Sequence, residues 1–205
     1  MHLSADEGRQ GDLFDTTTPS IDPTFARARR IRLDGASWIE HVPGWLSGSD
    51  ALFTELRDTA VWEQRDRWMY ERRVLEPRLT AEYPQLRASP HPLLHEIADA
   101  LTRHYGAPYT TLWINLYRDH ADSTAWHGDV VGRRTPDCIV PVLSLGATRR
   151  FHIRPKDGGK SIVLRPAGGD LVVMGGRAQV DWRHCVPKQA TPAGPRISVN
   201  FAPGQ

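Results

Sequence analysis

The sequence WHGD places a histidine and an aspartate two positions apart, at His127 and Asp129. Residues i and i+2 of a β-strand point to the same side, so this imidazole and this carboxylate can be directed at one point. Imidazole and carboxylate ligands together suit a divalent transition metal. An HxD pair occurs by chance in many chains, so the metal hypothesis requires a third ligand.

Two later histidines are candidates for that ligand, His152 and His184. His184 lies in WRHCVP, 55 residues after Asp129 (184 minus 129), in a run that is typical of a strand. A strand histidine is also a common core residue, and spacing alone leaves that interpretation open. Two histidines and one carboxylate form the facial ligand set of non-haem Fe(II) oxygenases, which leaves one side of the metal free.

The run GPRISVNF predicts an anion anchor in a later strand. Strand alternation places Arg196, Ser198 and Asn200 on one face, and Ile197, Val199 and Phe201 on the other, towards the core. A guanidinium holds a carboxylate by two parallel hydrogen bonds. The polar face therefore suits a dicarboxylate, and an ordinary exposed strand face is the alternative interpretation.

The elements that must position these residues change character near Thr111. Before it, a helix is predicted over DALFTELRDTAVW with Ser49 as its cap, and a clearer helix over HPLLHEIADALTRHYG, ended by Gly106. After it come seven short apolar runs: TLWINLYR, CIVPVLSLG, RRFHIRP, SIVLRP, GDLVVMGG, QVDWRHCVP and PRISVNFAP. Runs at this spacing indicate an antiparallel sandwich or barrel. We therefore predict an α+β fold: a double-stranded β-helix (jelly-roll) core with N-terminal helices packed on one side.

The length of 205 residues suits one domain. Residues 1–24 are polar and are predicted to be a flexible arm, which leaves 25–205 as a single domain. Residues 63–88 have no clean period and are predicted to be a lid, because long loops in compact domains are often functional. The jelly-roll core is predicted over 111–201.

The composition is that of a soluble globular protein, with 40% hydrophobic and 24% charged residues and a net charge of +2. No apolar run has the roughly 18 residues of a membrane span, and the polar start predicts no secretory signal. We expect a cytoplasmic protein without a membrane partner, and a monomer. Cys138 and Cys185 form no CxxC pair and are expected to be free thiols.

Five motifs together resemble the AlkB family of Fe(II)- and 2-oxoglutarate-dependent dioxygenases. They are NLYRD, WHGD, SLGATRRFHIR, GGDLVVMGGRAQVDWRHCVP and PRISVNF, in the family's order over about residues 111–201. The upstream ERRVLEPRLTAEY matches more loosely. The resemblance implies a jelly-roll in which His127, Asp129 and His184 bind Fe(II) and are the catalytic residues, with 2-oxoglutarate as cosubstrate and O2 as oxidant.

The resemblance also implies further site residues. The cosubstrate would be held by Asn115 and Tyr117 and by the polar face of the last strand, Arg196, Ser198 and Asn200. Four residues would contact the substrate: Tyr70, Arg73 and Tyr83 in the lid, and Arg150 in SLGATRRF. An aromatic lid residue could stack on a flipped base.

The implied activity is oxidative dealkylation of damaged bases, with single- or double-stranded DNA that carries an alkylated base as the partner. Two alternatives remain open. One is hydroxylation of RNA, a nucleoside or a small metabolite by the same chemistry. The other is a jelly-roll sensor that holds metal and ligand without turnover.

The chain departs from the family pattern at three places. Val130 and Val131 follow Asp129 where repair members carry acids, and a carboxylate there would attract a cationic methylated base. The valines therefore favour a neutral adduct, such as an etheno base, or another substrate altogether. Ala202 stands where many members have a second arginine, so 2-oxoglutarate binding is expected to be weaker or to use another group, such as Asn200. Ser198 and Asn200 replace the usual Asn and Thr.

Overall fold

The computed structural model describes residues 18–69 and 72–204. Its strands are β1 (Ser20–Ile21), β2 (Arg29–Arg32), β3 (Ser37–Val42), β4 (Leu46–Ser47), β5 (Asp66–Met69), β6 (Arg72–Leu75), β7 (Leu79–Tyr83), β8 (Tyr109–Tyr117), β9 (Thr124–His127), β10 (Val140–Gly146), β11 (Phe151–Pro155), β12 (Ile162–Leu164), β13 (Leu171–Gly176), β14 (Trp182–Val186) and β15 (Arg196–Pro203). Its helices are α1 (Ser49–Thr59), α2 (Leu93–Tyr105), α3 (Val131–Arg134) and α4 (Ala178–Asp181), with a 3-10 turn at Leu86–Ala88.

Two antiparallel sheets face each other and form the predicted jelly-roll. The large sheet has the order β2-β3-β13-β10-β15-β8-β7, and the small sheet has the order β12-β11-β14-β9. All seven runs identified after Thr111 form strands, namely β8 and β10 to β15. The predicted fold class is therefore confirmed.

Strand β15 runs through the middle of the large sheet, between β10 and β8. Its apolar residues Ile197, Val199 and Phe201 are completely buried on the side covered by the two long helices. Helices α1 and α2 contribute five completely buried residues to the same core: Leu52, Leu56, Leu94, Ile97 and Leu101. Burial of one such side chain contributes about 1.5–3 kcal/mol, so this face of β15 is fixed firmly, and its polar face must point the other way.

The helix ends differ slightly from the sequence prediction. Ser49 is the first residue of α1 and not its cap; Gly48 precedes it with φ 62°, a left-handed conformation that glycine adopts without strain. Gly106 ends α2 as predicted, with φ 71° and its N–H donating to the carbonyl of Thr102 at 2.9 Å.

A second apolar cluster joins the two sheets. Ile39, Val140 and Met174 of the large sheet meet Phe151 and Ile153 of the small sheet, and all five are buried. Together with the helix-covered core, this cluster holds the two sheets in fixed register around the polar cavity described below.

The segment 63–88, predicted as an irregular lid, has more regular structure than its sequence indicated. Strands β5 and β6 form a hairpin, and β7 pairs with β8 at the edge of the large sheet. The alternation in LTAEY is short and is flanked by arginine and proline, which hid it. The role of this segment as a lid stays a prediction.

The predicted N-terminal arm is described only in part. Residues 1–17 lie outside the described residues, whereas Ser20–Ile21 pair with Leu46–Ser47. Both cysteines are buried and free, as expected. None of the helices in the described residues has the length and apolar character of a membrane-spanning segment.

Candidate metal and cosubstrate site

Three side chains, from two neighbouring strands and the turn that follows one of them, converge on one point. The Nε2 atoms of His127 and His184 lie 3.6 Å and 3.7 Å from Oδ1 of Asp129, and their rings are 4.3 Å apart. One ligand atom from each residue lies within 4.8 Å of the others. The set is two imidazoles and one carboxylate, the donor combination of non-haem Fe(II) sites.

The strand pairing explains this convergence. His127 ends β9 and is the direct cross-strand partner of His184 in β14, so both rings point to the same face. Nδ1 of His127 lies 2.8 Å from the carbonyl of Ala125. A proton on Nδ1 satisfies that carbonyl and leaves Nε2 as the free ligand atom, which is how metal-binding histidines are usually oriented.

The turn that carries Asp129 rests directly on helix α4. A Cβ atom on Gly128 would lie 2.2 Å from the carbonyl oxygen of Gln179, so only glycine fits. The Gln179 side chain is buried and accepts the backbone N–H of Asp129 at 2.8 Å. Gln179 therefore fixes the direction in which Asp129 leaves β9.

The electrostatics of the triad favour a cation. Burial alone would raise the pKa of Asp129, but His184, His127 and Arg78 outweigh burial and lower it, so the carboxylate is ionised. Burial, with the nearby His127, lowers the pKa of His184 to about 3. A neutral imidazole and an ionised carboxylate are the protonation states that bind metal.

Arg196, predicted from the sequence to anchor an anion, is buried beside the same cavity as the triad. It is 2% exposed and lies at the start of β15, and Nη2 donates to Ser144 Oγ at 2.9 Å. Its Nε and Nη1 atoms are buried and have no hydrogen-bond partner. Burial lowers the pKa of this guanidinium. Buried donors without an acceptor are costly, so this arginine requires an anionic ligand.

The other four predicted cosubstrate residues line the same cavity, of about 290 Å³. The side-chain carbonyl of Asn115 accepts a hydrogen bond from Oγ1 of Thr80 at 3.0 Å, and its amide donates one to Oγ of Ser198 at 3.3 Å.

Two further hydrogen bonds hold the remaining pair. The Tyr117 hydroxyl lies 2.7 Å from Oγ1 of Thr124, and the side-chain amide of Asn200 donates to the carbonyl of Trp113 at 3.0 Å. These bonds hold the polar face of the large sheet rigid.

The residues present fit Fe(II) and 2-oxoglutarate. The triad offers the ligand types that Fe(II) takes in oxygenases, and Arg196 offers unpaired N–H groups for a carboxylate in the same cavity. That these residues bind the two groups stays a prediction for direct measurement.

The predicted substrate residues are less well placed than the triad. Arg73 is exposed, pairs with Asp66 at 3.0 Å and does not line the cavity. Tyr83 lines a neighbouring, larger groove. Tyr70 lies outside the described residues.

The position of Arg150 corrects the sequence expectation. Arg150 is exposed and does not line the cavity, whereas the preceding Arg149 is buried. Arg149 is 1% exposed and donates to the carbonyls of Asp119, Asp122 and Pro187 at 2.6, 2.8 and 3.0 Å. It thereby joins the loop before β9 to the end of β14.

Two more residues were missed by the sequence reasoning. Arg78 pairs with Glu76 at 3.3 Å, donates to Thr124 Oγ1 and lines the cavity near Asp129. Gln179, described above, is the other. Both lie in stretches quoted above, ERRVLEPRLTAEY and GGDLVVMGGRAQVDWRHCVP, but their contacts follow no local pattern, so only the folded arrangement reveals their roles.

Comparisons with known sequences agree with this geometry. The profile of the family described as the 2OG-Fe(II) oxygenase superfamily matches residues 47–201. Alpha-ketoglutarate-dependent dioxygenase alkB homolog 3 from Bos taurus is 32% identical over 189 residues, which is 82% of this chain and 66% of that protein. The Homo sapiens protein of that name is 30% identical over the same shares. The chain thus spans slightly less than two thirds of these relatives.

A further relative is the DNA oxidative demethylase ALKBH2 of Homo sapiens, 31% identical over 134 residues, with 60% of this chain and 51% of that protein covered. Two solved structures share the fold. That of OsALKBH1 has a TM-score of 0.59 at 12% identity and covers 85% of this chain and all of that one. A prolyl hydroxylase from Trichoplax adhaerens has a TM-score of 0.58 at 10% identity, and the match covers 80% of this chain and 83% of that one.

Proposed function

Because this chain belongs to the 2OG-Fe(II) oxygenase superfamily, and within it to the AlkB family, we propose that it removes alkyl groups from damaged nucleobases by oxidation. The family match confirms the predicted cofactors, Fe(II), 2-oxoglutarate and O2. One observation carries the proposal: a His-Asp-His triad and a buried arginine with unpaired N–H groups line the same cavity.

The names of the relatives support a nucleic acid substrate. Human ALKBH2 is named a DNA oxidative demethylase. The size of the cavity also fits this substrate. At about 290 Å³ it lies at the small end of ligand pockets, so it suits a cosubstrate and the edge of one base, and a duplex cannot enter. A base would therefore be extruded from its strand to reach the triad.

The residues of this chain supply position and environment. Bound Fe(II) with 2-oxoglutarate and O2 would supply oxidation of the alkyl C–H bond or of the etheno C=C bond, and the oxidised carbon would leave as an aldehyde. His127, Asp129 and His184 would hold the metal, and Arg196 would pair with a carboxylate of the cosubstrate and set its register. Three apolar side chains, Val142, Phe151 and Val186, line the cavity and exclude water.

The test is anaerobic loading with Fe(II) and 2-oxoglutarate, followed by air and a panel of oligonucleotides. The panel contains methylated and etheno bases in DNA and in RNA, with unmodified strands as controls. We expect formaldehyde or glyoxal in proportion to succinate, and only from modified strands. Succinate production coupled to a nucleoside or a small metabolite, with no aldehyde from any oligonucleotide, would contradict a nucleic acid substrate and leave the oxygenase chemistry standing.

A further inference from the structure

We propose that Glu82, with Trp113 beside it, is the group that selects a positively charged base, an inference that rests on the proposed function. It assigns a specificity residue on strand β7, remote in sequence from the metal ligands. It also changes the expectation drawn from Val130 and Val131, which favoured a neutral adduct.

Glu82 and Trp113 are neighbours at the entrance of the metal cavity. They are direct cross-strand partners on β7 and β8, so their side chains lie next to each other on the same face. Both line the cavity that contains the triad, and both also line the larger groove beside it. They therefore lie where the two spaces meet, within reach of a base placed at the triad.

Glu82 is the carboxylate of this cavity that a substrate can reach. The side chains of Asp129 and Glu76 are each 10% exposed, whereas that of Glu82 is 50% exposed. Asp129 is directed at the two histidines, and Glu76 pairs with Arg78. The hydrogen bond from Arg65 lowers the pKa of Glu82, so it carries its charge at neutral pH.

An N-methylated base with a delocalised positive charge matches this pair. The indole face of Trp113 attracts a flat cation, and the carboxylate of Glu82 adds a charge–charge attraction. A neutral adduct can stack on Trp113 but is not attracted by the charge of Glu82. Val130 and Val131 line the same junction and bring no charge, so the discrimination falls to Glu82.

The present partner of Glu82 can be exchanged for a substrate. Arg65 pairs with Glu82 at 2.6 Å, and the two side chains are 37% and 50% exposed. Ion pairs that are this exposed contribute little stability. A cationic base can therefore replace Arg65 at the carboxylate without a large penalty, and Arg65 is then free at the rim, where phosphates pass.

The test compares two oligonucleotides of one sequence, with a single N1-methyladenine (cationic) or a single 1,N6-ethenoadenine (neutral). Their affinities are measured at fixed ionic strength with the Mn(II)- and 2-oxoglutarate-loaded protein, and turnover with the Fe(II) protein. We expect Glu82→Gln to weaken binding and kcat/KM for the cation about 10-fold and for the neutral base less than about 2-fold. Trp113→Leu should weaken both.

Glu63→Gln is the matched control. Glu63 is exposed and bonded through its backbone to Thr80, close to Glu82, but it does not line the cavity. The Glu63→Gln substitution removes the same charge from the same region, and we expect it to leave the preference for the cationic over the neutral base unchanged. The inference is overturned if Glu82→Gln affects both bases alike or neither, or if Glu63→Gln matches it. If wild-type protein binds and dealkylates neither oligonucleotide, the proposed function fails as well, so the two failures are distinct.

Discussion

Oδ1 of Asp129 lies 3.7 Å from Nε2 of His184, although 55 residues (184 minus 129) separate them in the chain. Asp129 follows the end of β9, and β9 pairs with β14, which carries His184. The site therefore exists only when these strands are paired. Metal affinity is thus a sensitive report on the local fold as well as on the ligands.

Replacement of His184 by alanine should remove metal binding and succinate production while the circular dichroism spectrum stays that of the wild type. Mutations of groups that only orient a ligand typically cost 10–100-fold in affinity, so loss of a ligand should cost more than about 100-fold. The measurement is calorimetric titration with Mn(II), followed by a succinate assay. His152→Ala is the control, since His152 is in the same small sheet but opposite Cys185, on the other face. Turnover that persists without His184 would refute the ligand assignment.

Gly128→Ala should weaken metal binding without touching a ligand. The added Cβ would overlap the carbonyl of Gln179, and overpacking of this kind costs about 1–3 kcal/mol in stability and shifts the Asp129 turn. Urea unfolding and Mn(II) titration measure the two effects. Gly35→Ala is the control, because nothing lies within 4 Å of its added Cβ. If both variants bind metal equally well, the close contact with α4 is not what positions Asp129.

Arg196→Gln should weaken 2-oxoglutarate binding about 10- to 150-fold, because hydrogen bonds to charged groups contribute about 1.5–3 kcal/mol. Mn(II) affinity should be nearly unchanged, since Arg196 is not among the three triad residues. Titration of the Mn(II)-loaded protein with 2-oxoglutarate measures this split. Arg133→Gln removes an exposed charge that also lines the cavity and should change little. Equal losses of 2-oxoglutarate affinity in the two variants would show that Arg196 acts only through its positive charge and not through direct hydrogen bonds.

Asp170 should account for part of the loss of folding stability at acidic pH. Burial would raise its pKa, but His41 and the backbone N–H groups of Gly44 and Ala167 outweigh burial and lower the pKa below its usual 3.8. Its contribution is therefore fully present above about pH 3.8 and is lost as pH falls through the lowered value. Asp170→Asn should cost about 1–3 kcal/mol at pH 7.

The measurement is urea unfolding of wild type and Asp170→Asn between pH 7 and pH 3. The difference between their free energies of unfolding should decrease only below about pH 3.8. The exposed Asp157 provides the control, since Asp157→Asn should leave the whole curve unchanged. A gap that stays constant to pH 3 would show that the Asp170 carboxylate is not held ionised by its partners.

The sequence was sufficient for the fold class and for two of the three triad residues, because these depend on local patterns. Period-two alternation located β15 and gave the correct faces to Arg196 and Ile197, and the HxD spacing located His127 and Asp129. His184 required the family resemblance, because spacing alone could not separate it from His152. The comparisons confirm that resemblance.

The residues that the sequence did not reveal depend on contacts between distant segments. Gln179 acts through the backbone of Asp129, and Arg149 through three carbonyls, so neither has a local signature. The prediction for Arg150 does not match the structure because a loop precedes β11, where strand alternation gives no register. The substrate residues were the hardest to predict, since the junction at Glu82 forms only when β7 joins the edge of the sheet.

The central place of β15 has a consequence for biosynthesis. Translation produces β8 and β10 well before β15, yet β15 is the strand that lies between them. Until it arrives, two hydrophobic strand edges stay open on the emerging polypeptide, and such edges promote aggregation. Two long-range pairings, of β15 with β8 and of β15 with β10, must then form together, which slows folding. Production of this enzyme in a cell should therefore depend on chaperone capacity more than its modest size suggests.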